Sequence, residues 1–205
     1  SCRSLVVASG GLSIPTMGAS PFGYKIAEQF GIKVWSTRAG LVPLTLHNDD
    51  KAKLSVLSGI AVDSIVSNER LAFRENILFT HRGLSGPAIL QISSYWLAGE
   101  ILTINLLPDL DMIAQFKLAQ RQQGQKQVKT VLAEFLPKRL LECLLEPDLA
   151  EAKLQALSYR NLEQIGLSLQ TWKLKPNGTE GFRTAEVTLG GVDCDALSSK
   201  TMEAN

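Results

Sequence analysis

Two pairs of neighbouring glycines stand where apolar runs end, one pair near each end of the sequence. Gly10 and Gly11 close the run at residues 5–8, and Gly190 and Gly191 close an alternating apolar run. Because glycine has no Cβ, such a pair lets the backbone come close to a cofactor or to another segment. Taken alone, each pair is more typical of a structural turn. If both runs belong to one sheet, however, both pairs could face a single ligand at its strand ends.

The segment GLSGP at residues 83–87 partly matches the Gly-x-Ser-x-Gly nucleophile elbow of serine hydrolases. Its last position is Pro87 and the sequence fixes no acid–base partners, so a Gly-Pro start of a helix is the preferred interpretation. His81 is the candidate for proton transfer, because histidine titrates near neutral pH. His81 and Arg82 are also interpretable as a partly buried hydrogen-bonding pair.

A polar cluster of Arg183 and Glu186 precedes the last apolar run. A cross-strand ion pair is the preferred explanation, with a site for a substrate anion as the alternative. A polar cleft lined by His81, Arg82 and Arg183 and facing both glycine pairs would favour the second explanation.

The composition excludes several classes of protein. The net charge is +1, with 21 basic and 20 acidic residues interspersed, which argues against a nucleic-acid partner because phosphates require clustered Lys and Arg. Three scattered cysteines and two histidines lack the spacing of a metal site, and they favour a reducing, cytoplasmic location. No apolar run approaches the roughly 20 residues of a membrane span, so we expect no membrane partner.

The pattern of the chain predicts an α+β fold in five segments. Residues 1–40 read as strand, glycine turn, helix and strand, a βαβ-type unit. Short strands in 41–108 are typical of a small antiparallel β-barrel, which resumes in 166–180. Between them, amphipathic stripes in 109–165 predict an inserted bundle of short helices. Residues 181–205 return to strand.

Within the first segment we predict a strand at residues 5–8 and then a helix with Ser20 as its N-cap and Pro21 in its first turn. Gly31 ends this helix. The barrel strands are predicted at 41–46, 54–66, 71–79 and 100–106, with residues 48–50 as a turn between the first two. A helix is predicted to begin at Pro87, and alternating apolar residues from 167 onward predict that strands resume there.

Three long motifs occur in order along the chain: LVVASGGLSIPTMGASPFGYKIAEQFG, THRGLSGPAILQISSYW and GTEGFRTAEVTLGGVD. They resemble the bacterial NAD(P)/FAD-dependent oxidoreductases of the aminoacetone-oxidase (YhiN-like) family. The resemblance runs from about Leu5 to Met202 and so covers nearly the whole chain.

This resemblance implies a two-dinucleotide (Rossmann-like) flavin-binding fold interrupted by a barrel and helices, with its remnants at both ends of this chain. Ser9 stands where the family usually has Thr and keeps a hydroxyl. Glu186 and Val187 stand where related folds often carry a His, which puts a shared acid–base role in doubt. The cofactor-binding residues that the resemblance implies are Ala8, Ser9, Gly10, Gly11, Thr188, Gly190 and Gly191.

The functional expectation is therefore a middle piece of a FAD-dependent oxidoreductase, as if cut from a longer protein. The family's GxGxxG motif and its last flavin segment are not in this sequence, so we expect the chain alone to be inactive and FAD-free. Its insert would cap a small-molecule substrate, with Arg82 and Arg183 on the substrate side and NAD(P)H as a candidate second partner. The alternative is a module that docks another protein or subunit.

Overall fold

The computed structural model describes residues 3–204, so Ser1, Cys2 and Asn205, at the ends of the two predicted outer segments, lie outside the described residues. The described chain is an α+β protein, as predicted, and its strands form two antiparallel sheets. The strands are β1 Val34–Gly40, β2 Leu44–Thr45, β3 Ala61–Ser67, β4 Ala72–Phe79, β5 Gly83–Ser85, β6 Leu102–Asn105, β7 Trp172–Leu174, β8 Gly178–Thr179 and β9 Val187–Val192. The helices are α1 Phe22–Gln29, α2 Asn48–Leu54, α3 Pro87–Ser93, α4 Met112–Gln123, α5 Val128–Leu132, α6 Lys138–Leu144, α7 Pro147–Glu151 and α8 Tyr159–Gln170.

The larger sheet has the strand order β7-β6-β3-β4-β5-β2-β8. Its centre is the β3–β4 hairpin, in which Val62 lies opposite Ile77. Val62, Ser64 and Val66 are buried while their neighbours along β3 are more exposed, as the period of two in a strand requires. The Asn68 side chain accepts the backbone N–H groups of the hairpin turn and fixes the register.

The helices α4 to α8 pack into the same hydrophobic core as the large sheet. Met112 and Phe116 of α4 and Leu162 and Ile165 of α8 are buried on the facing sides of the two helices. Gly166 lets the two helices approach closely, because a Cβ there would lie 3.0 Å from the Met112 Cβ. The predicted helical segment is therefore present, although α8 runs to Gln170.

The two ends of the chain meet in the smaller sheet, where β1 and β9 pair antiparallel. Trp35 lies opposite Gly191, and the register shifts between Trp35 and Arg38. At this irregularity Gly190 has φ +79°, and a Cβ on it would lie 2.3 Å from the Ser36 carbonyl oxygen. Gly190 is thus required by backbone packing in a conformation that L side chains rarely adopt.

The predicted strand at residues 5–8 is wrong. Leu5 and Val6 are 69% and 84% exposed, and among the residues that the structure describes no strand pairs with them. An apolar run becomes a strand only when a neighbouring strand takes up its backbone N–H and C=O groups. The predicted βαβ unit and its parallel sheet are consequently not present in residues 3–204.

Two further local predictions are corrected by the structure. The first helix begins after Pro21, and no side chain caps it, so Ser20 is not the N-cap. Residues 48–50 form the first turn of α2 and not a loop, where Asp49 and Asp50 favour the helix N-terminus through its dipole. The exact limits of the five predicted segments stay a prediction. Within residues 3–204, no helix is both long enough and apolar enough to cross a membrane.

Candidate functional site

An open cleft of about 590 Å³ lies where the loop before α1 meets the start of β9. The loop contributes mainly small and hydroxyl-bearing residues, and β9 and the residue before it contribute the opposite wall. The lining residues are Ser9, Gly10, Gly11, Ser13, Ile14, Met17, Gly18, Ala19, Tyr24, Glu186, Val187 and Thr188.

The Thr188 hydroxyl holds the two walls together. It accepts a hydrogen bond from the Leu12 backbone N–H at 2.8 Å and lies 3.1 Å from the Ser13 hydroxyl. A further backbone bond joins the Ile14 N–H to the Phe182 carbonyl at 2.8 Å. These contacts give the irregular loop a fixed position against β9 without any strand pairing.

The first glycine pair has two different roles in this loop. A Cβ on Gly11 would lie 2.7 Å from the Thr188 hydroxyl oxygen, so Gly11 allows the close approach of the two walls. Gly10 has φ +71°, and a Cβ on it would meet no atom within 4 Å. In the part of the chain that the structure describes, the N–H groups of Gly10 and Gly11 donate to no protein acceptor. Two free amide donors therefore border the cleft.

Tyr24, on α1, lies between the two glycine pairs. A Cβ on Gly11 would be 3.1 Å from the Tyr24 hydroxyl, and a Cβ on Gly191 would be 3.1 Å from the edge of the Tyr24 ring. The absence of side chains at both positions makes room for this ring. Sequence reasoning missed Tyr24, because it is significant only once both glycines are known to lie against it.

The predicted cofactor residues are divided by the structure into two groups. Ser9, Gly10, Gly11 and Thr188 line the cleft. The remaining three do not line it: Ala8 is exposed beside it, Gly190 packs on β1, and Gly191 packs on Tyr24. Their roles towards a cofactor stay predictions, as does the absence of FAD from the chain alone.

The predicted proton-transfer and substrate residues lie elsewhere. His81 is exposed in the turn between β4 and β5, and the Arg82 guanidinium lies 3.7 Å from the Glu180 carboxylate. Arg183 is exposed at the end of a short 3-10 helix. None of the three lines the cleft, whereas Glu186 does. Their roles in catalysis and substrate binding stay predictions.

The GLSGP segment has a structural explanation. A Cβ on Gly83 would lie 2.1 Å from the Leu44 carbonyl oxygen, and Gly86 has φ +89° directly before α3 begins at Pro87. Both glycines are therefore needed for close backbone contacts. The preferred interpretation, a Gly-Pro start of a helix, is confirmed.

The chemistry that the cleft offers is hydrogen bonding by neutral donors. The hydroxyls of Ser9, Ser13 and Tyr24 and the free amides of the first glycine pair suit carbonyl or phosphate oxygens. Glu186 adds one carboxylate. No group of three His, Cys, Asp or Glu side chains in residues 3–204 is arranged to hold a metal ion.

Comparison with known proteins gives a family and two curated relatives. The family model described as "HI0933-like protein barrel and H2TH domain" matches residues 38–187. The "Ribosomal RNA dihydrouridine synthase" of Escherichia coli (strain K12) is 55% identical over 205 residues, which is 99% of this chain and 51% of the relative. The protein of the same name from Haemophilus influenzae is 46% identical over 209 residues, again 51% of its length. The chain thus spans about half the length of the curated relatives it matches.

These findings overturn several expectations. The assignment to the aminoacetone-oxidase family is wrong, because both relatives carry a different name over nearly all of this chain. The substrate-capping insert, the docking module and the small-molecule substrate are wrong for the same reason. The exclusion of nucleic acid is also wrong, since both names specify ribosomal RNA; net charge averages over the surface and does not detect local groups of cations.

The predicted barrel and helices agree with the family, which is described as containing a barrel and an H2TH domain. Because that match covers far more than half of the sequence, the chain belongs to the family described as HI0933-like protein barrel and H2TH domain.

Proposed function

We propose that the chain forms part of an enzyme that reduces uridine to dihydrouridine in ribosomal RNA. The observation that carries the proposal is the cleft between the loop before α1 and β9. The free backbone N–H groups of Gly10 and Gly11 border it, and the hydrogen bond from the Leu12 N–H to the Thr188 hydroxyl joins its two walls. The names of the two relatives supply the reaction and the class of substrate.

The reaction adds a hydride and a proton across the C5–C6 double bond of uracil. A flavin is the natural source of that hydride, since hydride transfer is the chemistry that flavins bring to a protein. We propose that this cofactor binds at the cleft, where the surroundings of Gly10 are open: a Cβ there would meet no atom within 4 Å.

In this proposal the residues of the chain bind and orient. The N–H groups of Gly10 and Gly11 donate to oxygens of the bound nucleotide, and the Ser9 hydroxyl adds a further donor. Thr188 keeps the loop on β9, so that these donors are already in place before binding. Tyr24 and Glu186 are the titratable side chains that line the cleft, and they are the candidates for holding the proton that uracil takes up.

The test uses an Escherichia coli strain that lacks its own relative of this chain. A chimera in which this chain replaces the matching 205 residues of that relative is expressed in the strain. Nucleosides from the ribosomal RNA are then measured by mass spectrometry. We expect dihydrouridine to return and the purified chimera to show flavin absorbance; the chain by itself is assayed for flavin alongside. A folded chimera that forms no dihydrouridine would contradict the proposal.

A matched pair of glycine variants tests the location of the cofactor. Gly10 and Gly31 have φ +71° and +75°, and a Cβ on either would meet no atom within 4 Å. Gly10→Ala and Gly31→Ala therefore carry the same backbone strain, of order 1 kcal/mol, but only the first lies at the cleft. We expect flavin retention and dihydrouridine to fall several-fold in Gly10→Ala only. Equal losses in both variants would show that the cofactor does not bind at this cleft.

A further inference from the structure

A second cleft, of about 400 Å³, lies in the helical segment between α4 and α8. Its floor is apolar, because Phe116 and Leu162 are 1% and 2% exposed. Its rim carries an aromatic ring, two cations, one carboxylate and an aliphatic side chain. These rim residues are Tyr159, Lys117, Arg121, Glu163 and Ile113.

The two cations lie on the same side of α4. Lys117 and Arg121 are four residues apart, which places their side chains next to each other on the helix surface. In residues 3–204, no carboxylate lies within 4.0 Å of either of them, although Glu163 lines the same cleft. By contrast, Lys126 and Lys129 in the same helical segment are both ion-paired. Lys117 and Arg121 are therefore available to an anionic ligand.

The aromatic ring of the rim is exposed and adjoins these cations. Tyr159 is 54% exposed, and the Lys117 ammonium lies 5.7 Å from the centre of its ring. Tyr159 opens α8, where the Ser158 hydroxyl and the Asn161 side chain form a reciprocal cap. This cap fixes the backbone that carries the ring, so the stacking surface has a defined position.

An exposed ring beside two unpaired cations and above an apolar floor matches the chemistry of an unpaired nucleotide. A base stacks on tyrosine with little regard to its identity, while Lys and Arg neutralise the phosphates on either side. Glu163 would repel a second phosphate from the base pocket and accept a base amino group. An acidic peptide would satisfy the cations as well, but it would leave the exposed ring without a stacking partner.

We propose that the cleft between α4 and α8 binds an unpaired nucleotide of ribosomal RNA, an inference that rests on the proposed function. No residue lines both this cleft and the one at Thr188. The α4–α8 cleft thus holds the substrate RNA at a point other than the proposed cofactor site.

The experiment titrates the chain with a fluorescein-labelled, single-stranded RNA of about 12 nucleotides and with a duplex of the same length. The variants are Tyr159→Ala and the double variant Lys117→Gln with Arg121→Gln. The matched control is Lys173→Gln with Lys175→Gln, which removes two exposed cations on or next to β7. Circular dichroism melting checks that each variant is folded.

We expect the single strand to bind more tightly than the duplex. Tyr159→Ala should raise its Kd about 5- to 150-fold, the range of one lost stacking contact. The α4 double variant should lower the slope of log Kd against log salt by about 1.4, which corresponds to two phosphate contacts on a single strand. The control pair should change Kd less than twofold.

Three outcomes would overturn the inference: a folded Tyr159→Ala chain with unchanged Kd, an equal loss of RNA affinity in the control pair, or tighter binding of a labelled polyglutamate peptide than of RNA.

The chimera described above separates the two proposals. If it forms dihydrouridine and Tyr159→Ala leaves both binding and product unchanged, the proposed function stands and this site fails. If the chain binds RNA through Tyr159 but the chimera forms no dihydrouridine, RNA binding at the α4–α8 cleft is supported and the proposed reaction is contradicted.

Discussion

The Thr188 hydroxyl accepts a hydrogen bond from the Leu12 backbone N–H at 2.8 Å, although 176 positions separate the two residues. This bond joins the loop of the first glycine pair to the strand of the second. It brings the two ends of the chain to one cleft at a place where the loop forms no sheet. The two ends are thus connected by side-chain chemistry and not by a shared parallel sheet.

Removing this hydroxyl should loosen the loop before α1. Thr188→Val takes away the acceptor of the Leu12 N–H and the partner of Ser13, and we expect a loss of about 1–2 kcal/mol in the free energy of unfolding. Thr188→Ser keeps the hydroxyl and is the control. Urea unfolding measures stability, and limited proteolysis measures the exposure of the loop. If the valine and serine variants are cut at the same rate, the hydroxyl does not hold the loop.

Much of the fold was predictable where one sequence period dominates. The alternation that buries Ile77 and Phe79 of β4 and the apolar stripes of the helical segment each specify one buried face, so these elements occur close to where they were predicted. The end of α8 was missed because Leu167 and Leu169 fit a period of two as well as the surface and core positions of a helix. Residues 48–50 were missed because polar residues suit both turns and helix N-termini.

The candidate site was less predictable than the fold. The importance of Gly11 and Gly191 was visible from their type alone, since only glycine tolerates such close contacts. Tyr24 was not, because its role depends on two glycines that are distant in sequence. Net charge concealed the unpaired Lys117 and Arg121, whose availability depends on which other cations already have carboxylate partners.

Two glycines that flank the same residue should respond differently to alanine. Gly83 on β5 and Gly178 on β8 lie opposite Thr45, on either side of β2. A Cβ on Gly83 would lie 2.1 Å from the Leu44 carbonyl oxygen. A Cβ on Gly178 would come no closer to another atom than 3.6 Å, the distance to the Thr45 hydroxyl oxygen. Gly83→Ala should destabilise by at least about 1–3 kcal/mol through overpacking.

Gly178→Ala, in contrast, should stay within about 1 kcal/mol of the wild type. Urea unfolding of both variants gives the comparison. Similar midpoints for the two would mean that β2 and β5 do not pair as closely as the structure describes.

The ion pair of Arg70 and Glu100 should contribute to the acid sensitivity of the fold. Both guanidinium nitrogens reach the carboxylate, at 2.6 and 2.8 Å, and together with the Leu97 N–H they hold the pKa of Glu100 below its usual range. Because the carboxyl is more acidic in the folded than in the unfolded chain, its ionised form stabilises the fold at neutral pH. That contribution falls as the pH drops through the folded pKa.

Urea midpoints at pH 7 and pH 3 measure this effect. We expect Glu100→Gln to lower the midpoint at pH 7 and to reduce the difference between the two pH values. Glu75→Gln is the control, because in the described residues Glu75 has no ion pair within 4.0 Å. An NMR titration that places the Glu100 carboxyl at or above its usual pKa would contradict the assignment.

The reciprocal cap at the start of α8 should stabilise both the helix and the orientation of Tyr159. The Ser158 hydroxyl accepts the Asn161 N–H at 3.2 Å, and the Asn161 side chain accepts the Ser158 N–H at 3.3 Å. Ser158→Ala should cost about 1 kcal/mol, and Ser158→Asp should restore most of it, since Asp is an equally good N-cap. Thermal melting measures both variants. Because the cap orients the ring, Ser158→Ala should also weaken single-stranded RNA binding modestly, while a loss of stability without any change in Kd would show that Tyr159 needs no cap to stay in place.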